Sequence, residues 1–80
     1  MEQRATNMKN VLEGYIGKQI ILMSANKSLA LPHTPLTLNS LQEDYFLALS
    51  NKGVPFYVAY DAISVMSSIT GAEVLQIQLM

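Results

Sequence analysis

Between residues 44 and 68 the chain alternates at the spacing of a pleated strand three times in succession. Tyr45, Leu47 and Leu49 alternate with Phe46, Ala48 and Ser50, and Phe56, Val58 and Tyr60 alternate with Tyr57 and Ala59. Ile63, Val65 and Ser67 then begin a further period-two run. Ser50-Asn51-Lys52-Gly53 separates the first two runs; Asn51 tolerates a sharp bend, and Gly53 can take the positive φ that closes a short hairpin. Asp61 and Ala62 leave room for one corner before the third run. A meander connected this tightly curls easily into a small barrel.

The flanking segments complete the expected fold. Ala5, Met8, Val11, Leu12 and Tyr15 share one helical stripe, which predicts a helix over about 5–13, capped by Thr6 or Asn7 and stopped by a left-handed Gly14. Two to three turns are marginal alone, so the helix must lie on the barrel. In the strand at 18–24, Ile20, Ile21, Leu22 and Met23 are apolar on both faces, as expected where a helix covers one side and the barrel interior the other. Leu29, Ala30 and Leu31 look like the start of a partner strand, but Pro32 and Pro35 confine that segment to an edge, a bulge or a loop. Strands are expected at 36–43, 44–49, 54–60 and 63–68. Past a turn at Thr70 and Gly71, Leu75, Ile77 and Leu79 alternate with Gln76 and Gln78, which predicts a further strand over about 73–80. The expectation is therefore mainly β: one domain over 1–80, with a short N-terminal α-helix, a strongly bent five-stranded open barrel over about 18–68, and an additional C-terminal strand.

Composition narrows the functional classes. Half of the 80 residues are apolar, more than a small monomeric core readily hides, and the chain has no cysteine for a disulfide staple. Association with copies of itself is the remaining staple. With one histidine and no cysteine, the common zinc spacings are excluded, and no cofactor or metal is expected. The net charge of −1 is not the footprint of a protein held to nucleic acid mainly by phosphate neutralisation, although a ring repeats each lysine in every subunit. The polar N-terminus and the short apolar run at 20–23 predict neither a signal peptide nor a membrane span, which makes a cytoplasmic protein the default. Asn26-Lys27-Ser28 fits the glycosylation acceptor pattern, but with no secretory signal it reads as a chance match. Glu43 and Asp44 are adjacent on a strand and so point to opposite faces, and His33 between two prolines has no carboxylate near it in sequence. With no nucleophile triad or phosphate loop either, the chain reads as a non-enzyme.

A short helix followed by five bent strands, with a tight corner before the fifth, resembles the Sm and Sm-like (LSm) family, in particular its bacterial Hfq-like RNA-chaperone branch. A generic SH3-like barrel is the alternative. The resemblance covers about 8–68. Its closest match is Val58-Ala59-Tyr60-Asp61-Ala62-Ile63-Ser64, similar to the bacterial second motif in which a hydrophobic residue precedes Tyr-Lys-His and then Ala-Ile-Ser. Asp44-Tyr45-Phe46-Leu47-Ala48-Leu49 resembles the family's third strand. The resemblance implies a homo-oligomeric ring in which the fourth strand of one copy pairs with the fifth of the next, placing Phe56, Val58, Ile63 and Val65 at the subunit interface. A C-terminal strand folded onto either edge would block that ring.

The departures from the family pattern fall on its nucleotide site. In the bacterial branch the Lys and His of the second motif face the pore and hold uridine-rich RNA; here Tyr60 and Asp61 stand at those positions, and Ala59 at the Tyr. In the archaeal and eukaryotic branches Gln42 falls where the first motif has Asp, Phe46 where it has the base-reading Asn, and Ala59 and Tyr60 where they have Arg-Gly. Single-stranded RNA binding would therefore rest on Tyr45, Phe46, Tyr60 and Asp61, with Tyr45 and Tyr60 offering stacking faces. The alternative reading of the aromatics is core filling and subunit packing, and that of Asp61 is a carboxylate capping the turn that follows. Two functions follow: an Sm-like ring that binds RNA through altered contacts, or a structural or adaptor ring that binds protein and no nucleic acid.

Overall fold

The computed structural model describes residues 2–25, 31–32, 34–69 and 73–80, with residues 2–6 described by backbone alone. Helix α1 (Glu2–Glu13) precedes β1 (Gln19–Ser24), β2 (Leu36–Leu41), β3 (Tyr45–Leu49) and β4 (Pro55–Ala59). A single 3-10 turn, Tyr60–Ala62, then leads into β5 (Ile63–Ser68), and β6 (Val74–Leu79) ends the chain. The expected segments at Asn26-Lys27-Ser28, Leu29-Ala30, His33 and Thr70-Gly71 lie outside the described residues. Leu31 and Pro32 belong to no strand.

Alternation decides which side chains meet. Ile20 and Leu22, Leu36 and Leu38, Phe46 and Ala48, Val58, and Leu75, Ile77 and Leu79 all project to one face, where they form the core with Leu12, Tyr60 and Ile63. Each large aliphatic residue removed from water in this way contributes roughly 1.5–3 kcal/mol before entropy is charged against it.

The strands form one sheet in the order β4-β3-β2-β1-β6-β5. All neighbours are antiparallel except β1 and β6, which run parallel from Gln19 opposite Val74 to Ser24 opposite Leu79. The C-terminal strand is thus an interior member, inserted between β1 and β5, rather than an appendage to a five-stranded unit. It occupies neither edge, so β4 and β5 remain the two edges of the sheet.

Chain connectivity forces this sheet to curl. Ala59 ends β4 and Ile63 begins β5, and four residue steps span at most about 13–14 Å. A flat six-stranded sheet would separate its edge strands by five spacings of about 4.8 Å, roughly 24 Å. The two edges must therefore approach each other at this corner, and among the described residues they remain unpaired. Register shifts between Leu38 and Ser40 in β2, and between Ile63 and Val65 in β5, supply local bends.

Three details differ from the sequence expectation. The helix begins at Glu2, so Thr6 and Asn7 lie within it rather than at its cap, because Glu2, Gln3, Arg4 and Ala5 are themselves good helix formers. Its left-handed glycine is Gly17, with φ of 85°, and not Gly14; after Glu13 the chain continues through tight turns such as Tyr15 N–H to Leu12 C=O at 2.8 Å and Lys18 N–H to Tyr15 C=O at 2.9 Å. The helix contacts β2 and the 3-10 turn and buries Leu12 in the core. It therefore caps the inner face and leaves Ile21 and Met23 half-exposed on the outer one. Among the described residues, no helix is long and apolar enough to cross a membrane.

The β3-β4 hairpin closes as the sequence suggested. Gly53 has φ of 81°. Its N–H donates to the Ser50 carbonyl at 2.9 Å, and the Ser50 hydroxyl accepts from Lys52 N–H at 3.2 Å and Val54 N–H at 3.1 Å. Replacing Gly53 by Ala is expected to lower stability by about 1–2 kcal/mol, because a Cβ disfavours the left-handed conformation. Gly14 has no positive φ, and an added Cβ would meet only Val11 O at an ordinary 3.7 Å. Gly14→Ala is expected to be neutral or to stabilise by up to about 1 kcal/mol. Thermal unfolding of the two variants checks the contrast; equal losses would mean that the turn geometry is not what Gly53 contributes.

Candidate functional site

The 3-10 turn that joins the edges is anchored by Tyr60. Its backbone N–H donates to the Asp44 carbonyl at 3.1 Å, and its hydroxyl donates to the Gln42 carbonyl at 2.6 Å. Both partners lie in the β2-β3 connection. Its ring, 2 % exposed, stands 6.4 Å from that of Phe46, which is fully buried. On the other side of the turn, Met80 N–H donates to the Ala62 carbonyl at 2.9 Å. Tyr60 and Phe46, two of the residues expected to contact RNA, are therefore core residues. The cause is strand parity: both share the inward set with Ala48 and Val58.

The other two residues proposed for RNA are outside. Tyr45 and Tyr57, on neighbouring strands, form an edge-on pair with ring centroids 5.9 Å apart, and both are exposed. Tyr57 was not among the sequence candidates. The alternation that buries Phe46 and Val58 turns Tyr45 and Tyr57 outward together, and the antiparallel hairpin brings them within reach of each other. Asp61 is exposed at the 3-10 turn, and among the described residues its carboxylate has no hydrogen-bond partner. It does not cap the turn; the Ile63 N–H closes it onto the Tyr60 carbonyl.

The proposed interface residues divide in the same way. Val65 is 57 % exposed on β5 and Phe56 is half-buried on β4. Val58 is nearly closed off, and Ile63 is fully buried in its own chain's core.

An apolar cavity of about 300 Å³ lies beside β4. Leu22, Val58 and Leu79 form its floor from the core, and Phe56, Tyr57 and Met80 contribute to its walls. Among the described residues, no charged side chain lines it. Nothing in the order of residues brings Leu22, Val58 and Leu79 together; the parallel placement of β6 beside β1 does.

The remaining polar chemistry is sparse. Lys18 Nζ lies 3.6 Å from Glu73 Oε1 and 6.0 Å from the Tyr15 ring centroid. This exposed pair contributes at most about 1 kcal/mol to holding the starts of β1 and β6 together. Among the described residues, no three His, Asp or Glu side chains converge as metal ligands.

Burial first, and then the negative charge of Asp44, raise the Tyr60 phenol above the ordinary tyrosine value. The proton stays on the oxygen that donates to Gln42. Because the folded-state value is the higher one, the stability linked to this group is present in full below about pH 10 and is lost as pH rises through the folded-state value. Tyr60→Phe is expected to cost about 0.5–1.5 kcal/mol near neutral pH and to remove this alkaline loss. Thermal unfolding of both proteins across the alkaline range checks it; parallel pH curves would refute the linkage.

Comparison with protein-family models, with curated proteins and with solved structures finds no match to this chain.

Proposed function

We propose that this chain is a self-assembling β module: an Sm-like homo-oligomer in which β4 of one copy joins β5 of the next, serving as a structural or adaptor ring that binds protein. The observation that carries this reading is the state of the two edges. Both are unpaired among the described residues, and neither Pro55–Ala59 nor Ile63–Ser68 contains a charged residue. Soluble proteins usually blunt a free edge with lysine, inward charges or a covering element. Here Pro55 blunts only the first position of β4. Two open edges on opposite sides of one curled sheet favour head-to-tail joining, which closes into a ring when the rotation permits. The internal placement of β6 keeps both edges available.

Holding uridine-rich RNA is the less favoured function. The positions that carry cations in the bacterial branch are a core tyrosine and an exposed aspartate here, and the aromatic at the base-reading position, Phe46, is buried. One observation favours a weaker nucleic-acid reading: the exposed Tyr45 and Tyr57 pair offers π-faces that need no particular base.

Light scattering is expected to give a multiple of the 8.8 kDa chain mass at micromolar concentration; a monomer would refute the assembly. The purified protein should carry no nucleic acid absorbing at 260 nm. It should bind oligouridine weakly at physiological salt, with any residual affinity reduced by Tyr45→Ala or Tyr57→Ala. Tight, salt-sensitive binding would overturn the adaptor reading, because neutralised phosphates release counterions.

A further inference from the structure

The exposed valine of β5 and the apolar cavity beside β4 are complementary features of one chain. We infer that Val65 of one copy inserts into the cavity of the next, on the floor made by Leu22, Val58 and Leu79. This inference rests on the self-assembly proposed above and adds which side chain enters which pocket, and on which face of the sheet.

Backbone parity leads to that assignment. On β4, Tyr60 N–H is turned toward β3, where it bonds Asp44, and the Val54 carbonyl accepts from Ser50. Positions 54, 56, 58 and 60 therefore spend their backbone groups on β3, and Tyr57 and Ala59 turn theirs to the open edge. On β5, Ile69 N–H donates to the Val74 carbonyl at 3.1 Å. Positions 65, 67 and 69 accordingly face β6, and Met66 and Ser68 face the open edge.

Directly opposed residues of an antiparallel pair place their side chains on the same face. If β5 of a second copy lies antiparallel to β4 with its Met66 opposite Tyr57, then Met66 sits on the outer face beside the Tyr57 ring. The neighbouring pair sets Val65 of the second copy opposite Val58, on the inner face, over the cavity. Val65 is 57 % exposed within its own chain and is flanked on β5 by Ser64 and Ser67, so a lone apolar knob meets a hole whose described lining is uncharged and largely apolar. Within one chain the two cannot meet, because Val65 turns away from its own core. Joining is therefore head to tail, and the cores of successive copies lie on opposite faces of the shared ladder.

Two variants and their mixture test the insertion. Val65→Asp spoils the knob and keeps the cavity; Phe56→Glu spoils the cavity and keeps the knob. Circular dichroism checks that each is folded, and Met80→Glu, at the exposed cavity rim, replaces Phe56→Glu if that variant is not. In light scattering or size-exclusion chromatography each variant alone should be monomeric. Mixed in equal amounts they should give a dimer, because one intact knob then meets one intact cavity.

A monomeric wild-type protein would overturn this inference together with the homo-oligomer reading. A wild-type oligomer that survives Val65→Asp would overturn the insertion alone and move assembly to another surface. Two folded monomeric variants that fail to dimerise on mixing would likewise overturn it.

Discussion

The structure depends on a three-residue corner. Tyr60–Ala62 joins the two outermost strands of a six-stranded sheet, and a chain that short cannot bridge a flat sheet of that width. Curling of the sheet around its inner face follows from this connection. The corner is held in turn by Tyr60, whose backbone and hydroxyl both bond the β2-β3 connection and whose ring fills the core beside Phe46. Helix α1 packs against the same corner and buries Leu12 over the inner face, closing the core from the side that the strands leave open.

The corner also decides what the aromatic hairpin can do. Phe46 and Tyr60 are spent on packing. Among the described residues, the hairpin leaves an edge-on tyrosine pair on the outer face, and the sheet leaves two uncharged strand edges. An exposed aromatic pair without cations is a weak platform for nucleic acid, whereas an uncharged free edge is a strong template for another strand. That difference is why protein assembly stands ahead of RNA binding.

An apolar-rich small domain gains from assembly for a further reason. A chain of this length buries a modest fraction of its surface when folded alone, and Tyr57, Val65 and Met80 remain exposed near the two edges. The cavity beside β4 is where a curled but unclosed sheet falls short of completing its own core. A neighbouring strand would supply both the missing ladder and the missing side chain.

The elements were legible in the order of residues. A continuous apolar run located β1 and period-two alternation located β2 to β6 to within a few residues, and the glycine at 53 marked a turn that needs positive φ. Those properties are local, depending on residues two to four positions apart. Where the helix would stop was less legible, because Gly14 and Gly17 are equally able to take left-handed backbone and the hydrogen bond from Gly17 N–H to the Leu38 carbonyl is a tertiary one. Tertiary structure alone decided that the last strand would lie between β1 and β5, since Leu75, Ile77 and Leu79 would satisfy any inner face beside which they were laid. It also decided which member of each adjacent aromatic pair would be buried: alternation separates Tyr45 from Phe46, and only the position of the core says which of them faces solvent. The cavity is the least local feature of all, because its floor joins β1, β4 and β6 through the curl that a single short corner imposes.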